Sequence, residues 1–381
     1  MSFFDNLLDD THLALRDAVR RFAEREIAPH AIAWEEAESF PRELYAKAAE
    51  AGVLGVGFPE AVGGGGGGAL HMVMTAEALL RGGTTGVAAG LGSLGIALPA
   101  IVQAGDPAQI DRFVRPTLRG ETIAALAITE PSTGSDVASI RTRAVLDGDH
   151  YIVNGAKMFI TSGVRADFIT TLVRTGESGH GGLTFLVLER GMPGLTVSRA
   201  LRKTGWRASD TAELAFADVR VPVSNRVGPE GGGFVTLMRN FQTERLALAA
   251  YGCGTAQIAL DEAERWVKER TAFGRPLAGF QVTRHKLADM ATRVLAATAL
   301  TYQVAARLDR GDYIPKEVSM AKNLAAETAV SVTYDAVQLF GGAGYMRETV
   351  VERLSRDARL LPIGGGTQEI MREIIAKSMG F

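Results

Sequence analysis

The segment that decides the fold is GGGFVTLMRNFQTER, residues 231–245, because a long helical pattern begins within it. Beyond this segment, apolar residues recur at steps of three and four as far as Arg270, as they do on the buried face of a helix. The residues on this face are Leu246, Ala250, Cys253, Ala256, Leu260, Ala263 and Val267. The pattern predicts a helix that buries one face along its length.

Glu244 is the residue of this segment with a chemical interpretation. The apolar residues 246–248 follow it, so only Arg245 is an obvious partner for its charge. A carboxylate among apolar neighbours has a raised pKa and can act as a general base near neutral pH. The alternative is a first-turn acid favoured by the helix dipole. Taken by itself, the segment favours that alternative.

Composition and charge describe an ordinary globular chain. Its 381 residues leave room for two or three domains, hydrophobic residues make up 46%, charged residues make up 22%, and the net charge is −2. A charge near zero gives no field for binding nucleic acid or an anionic membrane. The single cysteine, Cys253, excludes a disulfide framework and fits a reducing compartment. The N-terminus lacks the features of a secretory signal and no apolar run could span a bilayer, so we expect a cytoplasmic protein.

The period of the apolar pattern changes twice along the chain. Residues 1–120 are mainly helical in period, strand-like alternation fills 121–230, and the helical period returns for 231–381. The middle region includes separate predicted strands at 150–153 and 157–161, after a hairpin turn at 147–149. We therefore predict an α+β fold. It has an N-terminal helical domain, a middle β-barrel or sandwich domain and a C-terminal four-helix bundle, divided at those boundaries.

Two glycine-rich segments in the first region need interpretation. The six glycines of residues 63–68 predict a flexible surface loop. Residues 90–95, GLGSLG, match the dinucleotide fingerprint GxGxxG, which carries meaning only between a strand and a helix. A helical pattern precedes this match and the chain has 44 glycines. We therefore reject a dinucleotide site there.

Residues 129–136, TEPSTGSD, follow a predicted strand and are rich in glycine and hydroxyl groups. Such a segment suits a phosphate or flavin edge and equally suits a capped turn. With Ala127 and Ile128 it resembles the signature of the acyl-CoA dehydrogenase family. Further motifs of that family follow in order: NGAKMFITSG at 154–163, RTAFGRP at 270–276 with Phe280-Gln281, QLFGGAGY at 338–345, and RDAR at 356–359 with GGT at 365–367. Five ordered motifs make the resemblance specific, and it covers nearly the whole chain.

The resemblance implies an FAD between the β domain and the helical bundle. Residues of the middle region that it assigns to the isoalloxazine and phosphates are Leu126, Ile128, Thr129, Gly134, Ser135, Phe159, Ile160 and Thr161. Phe159 stands where many relatives have Trp and would stack on the ring with less area. Residues that match contacts to the FAD of a neighbouring subunit are Arg270, Phe273, Gln281, Gln338, Leu339, Gly341 and Gly342. Thr367 and Glu369 match a further flavin contact.

The residues by themselves support part of this assignment. Arg270 can clamp a pyrophosphate, and the pair Gly341-Gly342 allows a backbone to approach it closely. The alternatives are a helix-end cation and a helix-breaking loop, and the residues alone favour these alternatives.

The chain departs from the family pattern just before the Gly-Thr pair near the C-terminus. Many members carry their catalytic Glu there, whereas this chain has Gly365, which cannot take a proton. In the long-chain and isovaleryl types the base comes from the helix at the position of Glu244, and residues 241–245 match that arrangement. The resemblance therefore implies Glu244 as the catalytic base. The residues expected beside the substrate are Ser135, Phe241, Arg245 and Gly365.

The activity implied by the resemblance is dehydrogenation of an acyl-CoA thioester to a trans-2-enoyl-CoA, as in fatty acid β-oxidation. Glu244 would take the α-proton, and the flavin would accept the β-hydride. The resemblance also implies a homotetramer that passes electrons to an electron-transferring flavoprotein.

Other classes of function fit the sequence less well. The chain has no GxSxG motif for acyl transfer by serine, and its six histidines show no metal-ligand spacing. An oxygen-using relative, either an acyl-CoA oxidase or a flavin monooxygenase, is the nearest enzymatic alternative. The non-enzymatic alternative is a flavin-containing relative that binds acyl groups or nucleic acid. The presence of Glu244 argues against a non-catalytic relative. Acyl chain length, branching and the electron acceptor stay open.

Overall fold

Helices fill the first third of the chain in the computed structural model, which describes residues 3–4, 7–177 and 179–381. The first helix is capped by Asp9, whose carboxylate accepts hydrogen bonds from the backbone N–H groups of Thr11 and His12. The helices are α1 (Asp10–Phe22), α2 (Ala31–Ala37), α3 (Glu43–Glu50), α4 (Ala69–Leu79), α5 (Thr85–Leu91), α6 (Leu94–Ala97), α7 (Pro99–Ala104), α8 (Pro107–Gln109) and α9 (Arg115–Leu118).

A mainly antiparallel sheet follows. Its strands are β1 (Ala124–Ala127), β2 (Arg143–Asp147), β3 (His150–Thr161), β4 (Phe168–Arg174), β5 (Leu183–Glu189), β6 (Leu195–Ala200), β7 (Thr211–Pro222) and β8 (Arg226–Val227). The sheet order is β6-β7-β3-β2-β4-β5-β8, and β1 pairs with β4 in parallel. The predicted hairpin turn is confirmed, since Asp147 pairs with His150.

The prediction of two separate strands at 150–153 and 157–161 is wrong, because β3 runs through both. Its ladder to β7 shifts register between Val153 and Gly155 and again between Lys157 and Ile160. Such bulges interrupt the alternation of side chains without ending the strand. The broken alternation therefore looks like a strand boundary in the sequence.

Long helices return at Gly233 and form the bundle that the sequence predicts. They are α10 (Gly233–Glu269), α11 (Gln281–Asp309), α12 (Pro315–Phe340), α13 (Val350–Ala358) and α14 (Gln368–Ser378). A short hairpin of β9 (Thr271–Ala272) and β10 (Arg275–Pro276) joins α10 to α11. Helix α10 packs against α11 and α12 of the bundle and against α4 of the first region. The α+β fold class is confirmed.

A buried carboxylate joins all three regions. Asp357 of α13 accepts hydrogen bonds from the backbone N–H groups of Trp206 at 2.6 Å and Thr85 at 3.2 Å. Glu35 of α2 lies close by and accepts from the Thr84 hydroxyl at 2.7 Å and the Ala208 N–H at 3.1 Å. Burial and the neighbouring Glu35 carboxylate raise the pKa of Asp357. Because buried backbone donors are costly to leave unpaired, these bonds fix how the regions meet.

The glycine run at 63–68 is an ordered turn, so the prediction of a flexible loop is wrong. Its backbone is hydrogen-bonded to the preceding segment: Gly64 N to Pro59 O at 3.0 Å, Gly65 N to Gly55 O at 2.8 Å, and Gly66 N to Phe58 O at 2.9 Å. A Cβ atom at Gly64 would lie 2.1 Å from the Phe58 carbonyl oxygen. Glycine is needed here because two backbone segments approach too closely for a side chain.

The GLGSLG segment lies in and between α5 and α6, without the preceding strand that a dinucleotide site requires. Within the described part of the chain, no individual helix has the length and apolar character to cross a membrane. The helices Thr85–Leu91 and Leu94–Ala104, bent by 42°, meet that test only as a pair, by length and composition.

We predict that Gly64→Ala lowers the free energy of unfolding by roughly 1–3 kcal/mol, as overpacking does. The control is Gly65→Ala, because a Cβ atom there would have its nearest neighbour at 3.6 Å. Thermal unfolding of both variants checks this prediction. Equal midpoints for the two variants would restore the flexible-loop interpretation.

Candidate active site

Glu244 lies well inside α10 and lines a cavity of about 270 Å³. The first-turn explanation for this acid is therefore wrong, since the helix begins at Gly233. Its Oε2 atom is buried and has no hydrogen-bond partner among the described residues. Burial raises the pKa of Glu244 to about 7, although the charges of Arg245 and Lys322 oppose that rise. A carboxylate with this pKa can accept a proton near neutral pH.

Two buried cations hold the loop at 364–367 beside Glu244. The Arg245 Nε donates to the Gly365 carbonyl at 3.2 Å, and the Lys322 Nζ donates to the Gly366 carbonyl at 2.7 Å. Burial lowers the pKa of both cations, that of Lys322 to about 8. A Cβ atom at Gly365 would lie 3.6 Å from the Glu244 Oε1. The two positions at which the family carries its base therefore meet across one small space.

Lys322 is a site residue that the sequence prediction missed. It is fully buried on α12, on the same face as Val318, Ala325 and Ala329. A lysine on an otherwise apolar helical face was the available signal, because buried lysines are rare unless they are paired. The structure shows its role, because the Lys322 Nζ binds the Gly366 carbonyl of the loop beside Glu244.

The cavity has mainly apolar walls from four parts of the chain. The walls are α10, α4, the segment 53–59 and the residues 91–103. Of the four residues expected beside the substrate, Gly365 lies next to Glu244, and the Arg245 guanidinium lies over the Phe241 ring at 5.1 Å. Ser135 is exposed on the loop after β1. An apolar cavity that ends at a carboxylate suits a hydrocarbon chain with a reacting carbon at its entrance.

Unpartnered acceptors cluster on the same stretch of α10. Besides the Glu244 Oε2, the Asn240 Oδ1 and Gln242 Oε1 are buried without a hydrogen-bond partner among the described residues. Buried acceptors without donors cost free energy and need an explanation. A polar ligand group that binds along this stretch would supply it.

The loop after β1 is held by a buried ion pair. Lys157 Nζ donates to the Ile128 carbonyl at 2.8 Å and to the Glu130 carboxylate at 3.0 Å. Glu130 also accepts from the backbone N–H groups of Arg141 and Thr142. Both side chains are buried, and burial lowers the pKa of Lys157 to about 8. Both residues lie within the quoted motifs, but this supporting role was not predicted.

Phe159 is displayed by the second bulge of β3. Its φ angle is 62°, in the left-handed region that non-glycine residues seldom adopt, and its side chain is 62% exposed. The bulge is tied to the loop after β1 by a hydrogen bond from Met158 N to Thr129 O at 2.8 Å. The other predicted flavin residues here are buried Leu126 and Ile160, half-buried Ile128, Thr129 and Thr161, and exposed Gly134 and Ser135. An exposed ring held at strain, beside apolar residues and hydroxyl groups, fits a planar cofactor such as flavin.

A second group of predicted residues lies on the surface at one end of the bundle. The Trp266 and Phe340 rings stack at 4.4 Å and bring the ends of α10 and α12 together. Phe273 there is 95% exposed with a φ angle of 49°. Half-buried Leu339 lies with exposed Arg270, Gln281, Gln338, Gly341 and Gly342. The loop at 364–367, called the tail loop below, ends at Thr367, which caps α14 through its hydroxyl, and the Glu369 side chain is exposed.

Three family models match the chain in order. They are described as the acyl-CoA dehydrogenase N-terminal domain at residues 9–121, the middle domain at 125–219 and the C-terminal domain at 231–380. Two curated relatives differ in their named substrates. The cyclohex-1-ene-1-carbonyl-CoA dehydrogenase of Geobacter metallireducens is 42% identical over 99% of each chain. The mouse mitochondrial long-chain specific acyl-CoA dehydrogenase is 38% identical over 98% of this chain and 87% of its own.

Solved structures resemble the whole chain. A probable acyl-CoA dehydrogenase from Mycobacterium abscessus is 54% identical with a TM-score of 0.97, covering 98% of this chain and 100% of its own. A structure titled as the electron transferring flavoprotein of Acidaminococcus fermentans is 36% identical with a TM-score of 0.95. It covers 100% of this chain and 99% of its own.

We predict that Glu244→Gln stabilises the protein at pH 8 but not at pH 4. The raised pKa of Glu244 means that the protonated carboxyl contributes stability below about pH 4.5, and that this stability is lost as the pH rises through about 7. The loss can reach about 3 kcal/mol, and a glutamine avoids it. Thermal midpoints of the two proteins across this range are the measurement. Glu369→Gln is the control, because Glu369 is exposed and its pKa is lowered. A constant difference between Glu244→Gln and wild type at all pH values would contradict the assignment.

Proposed function

Because the chain belongs to the acyl-CoA dehydrogenase family, whose members are FAD-dependent oxidoreductases, we propose that it converts an acyl-CoA thioester to a trans-2-enoyl-CoA with Glu244 as the base. The observation that carries the proposal is the unpartnered Glu244 Oε2 at the apolar cavity. A non-catalytic binding protein has no need to bury a carboxylate that lacks a donor, since such burial is costly.

The proton transfer is the step that this chain's own residues perform. The acyl chain enters the cavity with its α-carbon beside Glu244, and the carboxylate takes the α-proton. Within the described part of the chain, no hydrogen bond joins Arg245 or Lys322 to this carboxylate, whereas the Arg245 Nε and the Lys322 Nζ donate to the carbonyls of Gly365 and Gly366. They keep enough positive charge nearby for a useful fraction of Glu244 to be ionised at neutral pH.

Residues around Phe159 would hold the FAD ring. The loop held by Glu130 and Lys157 offers the hydroxyl and backbone N–H groups of 129–135 to the cofactor's polar edge. FAD, when bound, accepts the hydride equivalent from the substrate β-carbon. The electron acceptor proposed for the chain is an electron-transferring flavoprotein, as the family resemblance implies. The relatives' named substrates differ, so they leave the acyl group of this chain open.

The function is tested by anaerobic addition of acyl-CoA thioesters to the purified holoenzyme. Flavin absorbance should fall, because reduced flavin is formed as the enoyl product appears. A thermal-shift panel of acyl-CoAs selects the thioester to use. A colourless protein that cannot be reconstituted with FAD would refute the proposal. Rapid reoxidation by air with release of peroxide would favour the oxygen-using alternative.

Glu244→Gln should slow flavin reduction by roughly 10²–10⁴-fold, because glutamine cannot accept the α-proton. FAD content and acyl-CoA binding should stay near those of the wild type. Stopped-flow absorbance measures the rate, and Glu369→Gln tests the other acid considered as the base. If Glu369→Gln slows flavin reduction and Glu244→Gln does not, the base is Glu369.

A glutamate at position 365 should restore part of the activity to Glu244→Gly, because its Cβ atom would lie close to the space left by the Glu244 carboxylate. That Cβ atom would also lie 2.4 Å from the Leu248 Cδ1, and the φ angle of Gly365 is 64°. Adding Leu248→Ala should therefore increase the recovered rate. The recovery is measured as the rate of flavin reduction in the double variant Glu244→Gly with Gly365→Glu and in the triple variant that adds Leu248→Ala. A triple variant no faster than Glu244→Gly would show that the loop cannot present a base.

We also propose that the FAD site of each subunit is completed by residues of a neighbouring subunit within a homotetramer. The predicted flavin residues near Phe273 support this arrangement, because they are exposed at the end of the bundle. Arg270→Ala should weaken both FAD retention and assembly, since it removes a cation that can bind a pyrophosphate. Sedimentation equilibrium and flavin content measure the two effects. The control is Arg310→Ala, at the opposite end of α11. Monomers of the wild type that retain all their FAD would contradict this arrangement.

A further inference from the structure

The GLGSLG segment, rejected as a dinucleotide site, forms a wall of the cavity at Glu244. Two hydrogen bonds hold residues 88–96 alongside α10. The Tyr251 hydroxyl donates to the Ala88 carbonyl at 3.2 Å, and the Asn240 Nδ2 donates to the Ile96 carbonyl at 3.0 Å. The segment therefore runs in the opposite direction to the helix. Its later residues lie at the Glu244 end of the cavity, and its earlier residues lie at the Tyr251 end.

Two glycines of this wall differ in the space around them. A Cβ atom at Gly92 would lie 2.7 Å from the Tyr251 hydroxyl oxygen, so the wall is already closed there. A Cβ atom at Gly95 would meet nothing within 4 Å, although Gly95 lines the cavity. Gly95 also precedes Ile96, which is bonded to the residue one turn before Glu244. The free space at Gly95 therefore lies toward the Glu244 end of the cavity.

The side chains that α10 contributes to the opposite wall also differ in size. Ala247 follows Glu244 by one turn and lines the cavity with a single methyl group, whereas Tyr251 fills the next turn. The seven steps along the helix from Glu244 to Tyr251 span about 10 Å. The cavity is therefore lined by a small side chain one turn from the carboxylate and by an aromatic ring about 10 Å from it along the helix.

The backbone does not require a glycine at position 95. Gly95 lies in α6 and is not among the residues with a positive φ angle. Alanine has the higher helix propensity, so an alanine there would favour the local structure. The missing side chain is therefore explained by the space that it leaves in the cavity.

We infer that Gly95 determines specificity by leaving lateral room beside the reacting carbons, so that the enzyme accepts acyl groups that are branched or cyclic near the thioester. This inference rests on the proposed acyl-CoA dehydrogenation. A methyl group added at position 95 projects into that room and excludes the wider acyl groups first. Straight acyl chains are narrower, so their kcat/KM falls less.

The test compares wild-type holoenzyme with Gly95→Ala and Gly95→Val, using cyclohexanecarbonyl-CoA, 2-methylbutyryl-CoA and butyryl-CoA. The ratio of kcat/KM for each wide substrate to kcat/KM for butyryl-CoA should fall roughly 10-fold with alanine and further with valine, as expected for one or more added methyl groups in a pocket. The thermal midpoint of Gly95→Ala should not fall, because the added side chain meets no neighbour. Gly181→Ala is the control, since its Cβ atom also meets nothing and lies outside the cavity.

Equal losses for wide and straight substrates, or an unchanged ratio in both Gly95 variants, would overturn the role of Gly95 while leaving the dehydrogenation intact. A wild-type enzyme that reduces its flavin with butyryl-CoA but with neither wide substrate would overturn the inference about the acyl group. Failure of all three thioesters to reduce the flavin would refute the proposed function, and the inference with it.

Discussion

The constraint on which the rest of the structure depends is a buried carboxylate oxygen, at an apolar cavity, to which no described residue donates a hydrogen bond. Leaving the Glu244 Oε2 without a donor among the described residues costs free energy, and the packing of α10 against helices that include α4, α11 and α12 offsets that cost. Arg245 and Lys322 lower the cost further through their charge, while their own donors bind the carbonyls of the tail loop. The carboxylate therefore keeps both a free oxygen and a pKa near neutrality.

The position of that carboxylate relative to the cavity wall depends on contacts between regions. The wall belongs to the N-terminal helices and the carboxylate to the C-terminal bundle. Asp357 and Glu35 accept hydrogen bonds from backbone N–H groups across these boundaries, so these buried bonds hold the three regions together. The motif RDAR at 356–359 thus contributes Asp357, whose hydrogen bonds connect the three regions. Its sequence alone did not show this role.

Local patterns predicted the elements more reliably than their surroundings. The change of apolar period gave the order of helices, strands and helices, because each period reflects burial of one face of a regular element. The same reasoning divided β3 into two strands, since a bulge disturbs the alternation of side chains without ending the pairing. It also interpreted the glycine run as flexible, because a sequence cannot show that Gly64 lies against the Phe58 carbonyl.

The sequence by itself determined the helix that carries Glu244, the order of the family motifs and the absence of a carboxylate at position 365. Each of these is a property of residue type and spacing along the chain. Only the tertiary structure decided that Glu244 has an unpaired oxygen, that Lys322 lies near it and that Gly95 borders open space. The reason is that a pKa and a cavity are set by atoms from α4, the α5–α6 segment, α10, α12 and the tail loop. These segments are far apart in sequence and share no local pattern.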